Sequence, residues 1–180
     1  MTYREFLESK IELAQDSGFV VDPAKINKAL KPHQRDAVCW ALKGGRRALF
    51  ESFGLGKTIQ EIEFCHLAAE HCKGRALIVL PLGVKQEFTR DAVDILGYDR
   101  PEYCRTMEEV EQSSSQIVLT NYERVRDGDI RPEYFAATSL DEASVLRSFG
   151  SKTYQTFLDK FKHVPYKLVA TATPSPNKYK

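Results

Sequence analysis

Lys57 and Thr58 stand directly after Phe53-Gly54-Leu55-Gly56, and Ala48-Leu49-Phe50 precedes that loop as a short apolar strand. The residues from Lys57 to about Cys72 read as a helix. Strand, glycine-bearing loop and new helix, in that order, make a cradle for an anion. Glycine lets the backbone curl so that several N–H groups point inward, and the helix start adds the positive end of its dipole. Lys57 brings a full charge, and the Thr58 hydroxyl is a ligand for Mg²⁺. The first glycine of the longer phosphate-loop pattern is absent, and Glu51 occupies its place. A second stretch, Asp141-Glu142, follows Phe135–Leu140, which reads as a strand. Acids at the C-terminal end of a sheet strand lie at the edge where α/β folds gather their ligands. One carboxylate can hold Mg²⁺ through water, and its neighbour can orient and deprotonate a second water. Neither stretch decides alone, because an acidic pair also suits an ordinary helix N-terminus.

The elements between these stretches must bring them together. Apolar positions Phe6, Leu7 and Ile11 predict an amphipathic helix over Thr2–Gln15, stopped by Asp16-Ser17-Gly18. Pro32 suits the first turn of a helix reaching about Leu42, with Ala37, Val38, Trp40 and Ala41 on or near its buried side. Gly44-Gly45 caps that helix. After the loop and its helix to Cys72, the predicted order is strand Ala76–Leu80, helix Val84–Leu96, a short strand at Tyr103–Arg105 and helix Met107–Gln112. Strand Ile117–Leu119, strand Phe135–Leu140, helix Tyr154–Phe161 and strand Tyr166–Ala170 complete the chain. Continuous apolar runs such as Ala76–Leu80 fit strands buried on both faces. Such alternation predicts an α/β fold, a mostly parallel sheet with helices on both faces. The strand before Asp141 carries Thr138 and Ser139, whose buried hydroxyls need partners.

Composition narrows the classes. A chain of 180 residues with 42% hydrophobic and 28% charged residues has material for one three-layer globular domain and is not disordered. The net charge of +1 means that nucleic-acid binding must come from a local patch. Cys39, Cys65, Cys72 and Cys104 show neither disulfide nor zinc spacing, which fits a reducing compartment. Cys65-His66 and His71-Cys72 lie roughly 10 Å apart along one helix, so no structural metal is expected there. No signal pattern opens the sequence and no apolar run approaches a membrane span, so an intracellular protein, cytoplasmic or nucleoid-associated, is expected.

The order of these segments resembles the Swi/Snf-like branch of the superfamily-two helicases and translocases, specifically their N-terminal RecA-like lobe. Leu30-Lys31-Pro32-His33-Gln34 is similar to the adenine-recognition motif, whose glutamine reads the base. Phe53-Gly54-Leu55-Gly56-Lys57-Thr58 matches the branch's phosphate loop, Met-Gly-Leu-Gly-Lys-Thr, which also lacks the outermost glycine; Glu51 falls where these proteins often carry an acid. Leu80-Pro81-Leu82 and Leu119-Thr120-Asn121-Tyr122 resemble the two motifs that touch the nucleic-acid backbone. Asp141-Glu142-Ala143-Ser144 matches the acidic motif, with Ser144 replacing a common histidine, and Thr171-Ala172-Thr173-Pro174 matches the coupling motif.

The resemblance spans residues 30–177 and implies a RecA-like P-loop NTPase lobe over 30–180, preceded by an N-terminal helical extension at 1–29. It implies ATP and Mg²⁺ as cofactors: Gln34, Gly54, Leu55, Gly56, Lys57 and Thr58 on the nucleotide, Thr58 and Asp141 on the metal, Glu142 and Lys57 in catalysis. Thr171 and Thr173 are the implied coupling residues, and Pro81, Thr120, Asn121 and Tyr122 the implied nucleic-acid contacts. The implied activity is ATP hydrolysis coupled to movement on duplex DNA, with a second RecA-like lobe as partner in cis or trans. Nothing in the sequence resembles that second lobe, whose arginine finger is worth roughly a thousandfold or more in turnover. The chain alone is therefore expected to hydrolyse weakly. Two alternatives remain at this level: a strand-separating DNA or RNA helicase lobe, and an accessory module that binds nucleotide or DNA without turnover.

Overall fold

The computed structural model describes residues 15–148 and 150–173. The helix expected over Thr2–Gln15 and the end of the coupling motif at Pro174 lie outside the described residues. Six strands form one sheet, β1 (Arg46–Phe50), β2 (Ala76–Val79), β3 (Glu102–Tyr103), β4 (Ile117–Thr120), β5 (Ala137–Leu140) and β6 (Tyr166–Thr171). Their order is β1-β6-β5-β2-β4-β3 and every pairing is parallel. The helices are α1 (Pro32–Gly44), α2 (Lys57–Cys72), α3 (Lys85–Arg90), α4 (Met107–Gln112), α5 (Tyr122–Asp127) and α6 (Ser151–Asp159).

Strand alternation sorts the core into two layers. Ala76, Ile78 and Leu80 face one way with Ile117, Leu119, Leu168 and Ala170, where α1 and α2 supply Val38, Leu42, Ile62, Phe64 and Leu67. Leu77, Val79, Val118 and Leu140 face the other way against Tyr122, Val125, Phe157 and Phe161 of α5, α6 and the turn after α6. Helix α2 is buried on nearly every side from Ile59 to Ala69, so it forms the spine under the sheet. Residues 17–30 belong to the same core as the lobe. Ser17, Gly18 and Phe19 donate their N–H groups to the carbonyls of Gly44, Lys43 and Leu42, and Val21, Ile26 and Leu30 are buried.

Several elements depart from the sequence expectation. Trp40 is 48% exposed, its ring lying under the Arg47 guanidinium at 5.4 Å. The predicted helix Val84–Leu96 is a 3-10 turn (Leu82–Val84), α3, and then one π turn (Asp91–Ile95). A π turn holds more residues than an α turn; Phe88, Ala92 and Leu96 stay inside while Val93 turns to solvent. Helix α5 and the 3-10 turn Ala143–Ser148 were not visible in the sequence pattern.

Candidate nucleotide-binding site

Strands β1, β6 and β5 are immediate neighbours, in the registers Phe50↔Thr171 and Leu140↔Val169. The phosphate loop leaves the end of β1, Thr171 ends β6, and Asp141-Glu142 leaves the end of β5. Stretches far apart in sequence therefore emerge side by side at the C-terminal edge of one sheet, the usual ligand edge of an open α/β sheet. A cleft of about 460 Å³ opens there, lined by Gly54, Gly56, Lys57, Thr58, Pro81, Glu87, Asp141 and Glu142 among others.

The loop has the conformation its glycines were expected to supply. Gly54 and Gly56 take φ of 83° and 76°, in the left-handed region that glycine reaches without strain. Gly56 is the residue before α2, so the free N–H groups of the 16-residue helix point toward the loop. Lys57 lies back over the loop and donates to the carbonyls of Glu51 at 3.0 Å and Ser52 at 3.4 Å. The Thr58 hydroxyl donates to Glu87 Oε1 at 3.3 Å. Gln34 is 4% exposed and tied to the loop: its Oε1 accepts from Lys31 N–H and its Nε2 donates to the Leu55 carbonyl at 2.8 Å. Glu51 accepts from Gln60 Nε2 at 2.8 Å, so this acid braces the underside of the loop.

Burial pushes the Asp141 carboxyl up to about 6, with the neighbouring Glu142 charge adding to it. Directly behind it Glu61, fully buried, is raised well above the carboxylate range by burial first and by the Asp141 charge second. Ser139 donates to Glu61 Oε2 at 2.5 Å, while no donor reaches Oε1. The neutral form of this carboxyl is the one that burial and the nearby Asp141 charge favour. Tyr122 completes the support by donating its hydroxyl to the Asp141 carbonyl at 2.6 Å.

Glu142 sits in the left-handed region at φ 48°, an uncommon position for a residue with a side chain, and such outliers gather at functional sites. Burial works against its charge. The hydroxyls of Ser144, Thr171 and Thr173 and the charge of Lys57 outweigh that, and hold its carboxyl below the ordinary glutamate value.

The geometry thus gathers Gly54, Leu55, Gly56, Lys57, Thr58, Asp141, Glu142, Thr171 and Thr173 around one edge, with Gln34 beneath the loop. It does not do so for all the expected nucleic-acid contacts. Pro81 is at the cleft surface, but Thr120, Asn121 and Tyr122 are buried at 0%, 6% and 1% exposure. Thr120 donates to the Cys104 carbonyl, and Asn121 accepts from Tyr103 and donates to Glu123. Their side chains close the end of β4 and the start of α5. His66 stacks on Tyr98 and His71 on Phe19, so each ring already has a partner within the fold.

Sequence reasoning did not find Glu61, Gln60 or Glu87. A signal for Glu61 was present: it is an acid on the buried face of a helix otherwise filled by Ile62, Phe64 and Cys65.

An all-parallel sheet with a glycine-curled loop opening a helix, and an acidic pair two strands away, defines a RecA-like P-loop lobe. A model of the SNF2-related domain matches residues 33–180, and the chain belongs to that family. Among solved structures, the Sulfolobus solfataricus SWI2/SNF2 ATPase core in complex with dsDNA is similar over 89% of this chain, with 22% identity and a TM-score of 0.69. The UvsW protein of phage T4 is similar over 96% of this chain, with 16% identity and a TM-score of 0.66. The chain covers 35% of each of those two chains, about a third of their length. In a further structure of the same protein, the UvsW helicase from Bacteriophage T4, it covers 61% of that chain, with 17% identity and a TM-score of 0.65. A comparison with curated proteins finds no match.

Proposed function

We propose that residues 30–180 form the ATP-binding lobe of a DNA-dependent ATPase of the translocase type, and that residues 1–29 lead into it. The observation that carries this reading is the meeting of Lys57, Thr58, Asp141 and Glu142 around one cleft at adjacent strand ends. The residues present suit a magnesium–nucleotide. Left-handed glycines and free helix N–H groups fit the phosphates, Lys57 supplies charge, and the Thr58 hydroxyl and Asp141 carboxylate are hard oxygen donors of the kind Mg²⁺ prefers. When bound, Mg²⁺ would offset the phosphate charge.

The chain's own residues divide the remaining work. Lys57 swings from the Glu51 and Ser52 carbonyls to the phosphates. Gln34, already bonded to Leu55, links base recognition to the loop. Glu61 and Tyr122 fix Asp141. Glu142 keeps one oxygen for its hydroxyl partners and turns the other to the water whose proton it accepts. Thr171, at the end of the strand between the loop and the acidic pair, and Thr173, just beyond that strand, would pass a change at Glu142 along the sheet edge. The Sulfolobus protein was solved on duplex DNA, which supports duplex DNA as the nucleic acid. A second RecA-like lobe, in cis or in trans, would complete the cleft, and this chain alone would turn over slowly and remain in the cell interior.

Calorimetric titration with ATP and Mg²⁺ tests the reading. Binding by the wild type that Lys57→Ala weakens roughly tenfold to a hundredfold is expected for loss of one charge-assisted contact. Equal binding by both proteins would sink it.

A further inference from the structure

Three hydroxyls close on a single oxygen of Glu142. Ser144, Thr171 at 2.9 Å and Thr173 at 3.3 Å all donate to Oε1, and among the described residues none donates to Oε2. Ser144 and Thr171 are placed by ordered structure, one on the turn right after the acidic pair and the other at the end of β6. Thr173 has no such support, because it lies beyond the last residue of β6. Two contacts fix it. Its own N–H donates to Thr171 Oγ1 at 3.1 Å, and Arg147 Nη2 donates both to its carbonyl and, at 3.3 Å, to its hydroxyl oxygen.

The second of these bonds has direction. A hydroxyl oxygen that accepts from a guanidinium turns its own proton to the opposite side, and the acceptor waiting there is Glu142 Oε1. The Thr173–Glu142 bond is partly buried, while the Arg147 bonds that orient it lie at the surface. Arg147 itself is anchored, since the preceding Leu146 is buried in the core. The 3-10 turn Ala143–Ser148 therefore reaches Glu142 twice, directly through Ser144 and indirectly through Arg147 and Thr173.

We propose that Arg147 is a positioning residue for Glu142, holding Thr173 so that its hydroxyl pins Oε1 and leaves Oε2 facing the water. This rests on the reading of Glu142 as the hydrolytic base. A mere staple of the chain after β6 would order that segment without affecting the chemical step, and the two roles separate experimentally.

The test compares wild type with Arg147→Ala, Arg147→Lys, Thr173→Val and the double variant Arg147→Ala/Thr173→Val. Amide hydrogen exchange over residues 166–173 is read without nucleotide, and ATP cleavage is read as kcat and KM at micromolar protein. Arg147→Ala is expected to speed exchange in that segment and to lower kcat roughly tenfold to a hundredfold, as misplaced catalytic groups do. KM should stay within about twofold, the mark of an interaction made in the transition state. Arg147→Lys, which can still donate to Thr173, should recover most of kcat. The double variant should be no worse than either single one, because both break the same link. An unchanged kcat in Arg147→Ala with cleavage intact in the wild type, or additive losses in the double variant, would overturn the proposal. If Glu142→Gln cleaved ATP as fast as wild type, the functional reading would fail and this proposal with it.

Discussion

Ser139 gives its hydroxyl proton to Glu61 Oε2 at 2.5 Å, joining the middle of β5 to the second turn of α2. The bond sits behind Asp141, whose charge is felt by Glu61. Two acids close together inside a protein cannot both ionise at moderate cost, and burial decides which of them stays neutral. Glu61 is fully buried and lies farther from water than Asp141, so the proton rests on Glu61. The neutral acid spares Asp141 a second buried charge at its back.

Glu61→Gln should therefore be tolerated. The amide keeps an acceptor for Ser139 and, like the protonated acid, carries no charge, so the change in stability should stay within about 1 kcal/mol. Glu61→Ala leaves the Ser139 hydroxyl buried without an acceptor and opens a cavity; about 3 kcal/mol should be lost. Urea unfolding of the two variants distinguishes them, and equal losses would show that the hydrogen bonds are not what Glu61 contributes.

Asp141 should make the fold less stable as the pH rises. Its folded value of about 6 lies above the ordinary carboxylate value, so the folded state binds the extra proton between about pH 4 and pH 6. Its effect is absent below that window, where both states are protonated, and the full penalty applies above it. Asp141→Asn carries no such charge and should be more stable than wild type by about 1–3 kcal/mol at pH 7.5, with the two converging near pH 4. Thermal melts across that range measure it. A constant difference at every pH would mean that the fold does not raise the Asp141 carboxyl. In the functional reading, magnesium–nucleotide binding should also fade as the pH drops through about 6.

The parallel sheet, helix α2 to the residue, and the meeting of the glycine loop with Asp141-Glu142 could all be read from the chain. Apolar runs such as Ala76–Val79 and the Gly-Lys-Thr step are local signals that tertiary packing leaves intact. What could not be read depends on contacts across the sequence. Thr120, Asn121 and Tyr122 look like surface polar residues until the end of β4 is seen to bury them against Cys104, Tyr103 and Asp141. The need for a partner at Ser139 was legible, but its identity was not, because Glu61 is brought to it only by packing α2 under β5. The π turn after α3 has no local signature in Asp91–Ile95, and it alone sends Val93 outward. Residues 17–29 fall within the N-terminal extension that the resemblance implies, yet they are fixed to α1 and α2 by backbone bonds and by Asn27.

That last attachment can be measured. Glu63 on α2 is fully buried, accepting from Asn27 N–H at 2.8 Å and from the Tyr98 hydroxyl at 2.5 Å. Tyr98→Phe leaves Glu63 Oε2 without its donor and should cost about 1–3 kcal/mol. Because Asn27 leans on the same carboxylate, the amide of Asn27 should also exchange faster in this variant. A loss of stability with Asn27 protection unchanged would show that the segment is held by its apolar contacts at Val21, Ile26 and Leu30 instead.

Gly54 and Gly56 share a left-handed conformation but differ in their surroundings, and alanine should separate the two causes. At Gly54 a Cβ would meet nothing within 4 Å, so Gly54→Ala carries only the backbone penalty, about 1 kcal/mol. At Gly56 the Cβ would stand 2.4 Å from Gln34 Nε2, too close to coexist with the bond from Gln34 to the Leu55 carbonyl. Gly56→Ala must therefore displace Gln34 from the loop in addition to straining the residue before α2, for a loss of about 2–4 kcal/mol. The displaced amide is the one expected to read adenine. Gly56→Ala should thus weaken ATP far more than inorganic triphosphate, whereas Gly54→Ala should weaken both alike. Calorimetric titrations with the two ligands decide between them. Equal losses for both ligands in Gly56→Ala would mean that Gln34 braces the loop and takes no part in recognising the base.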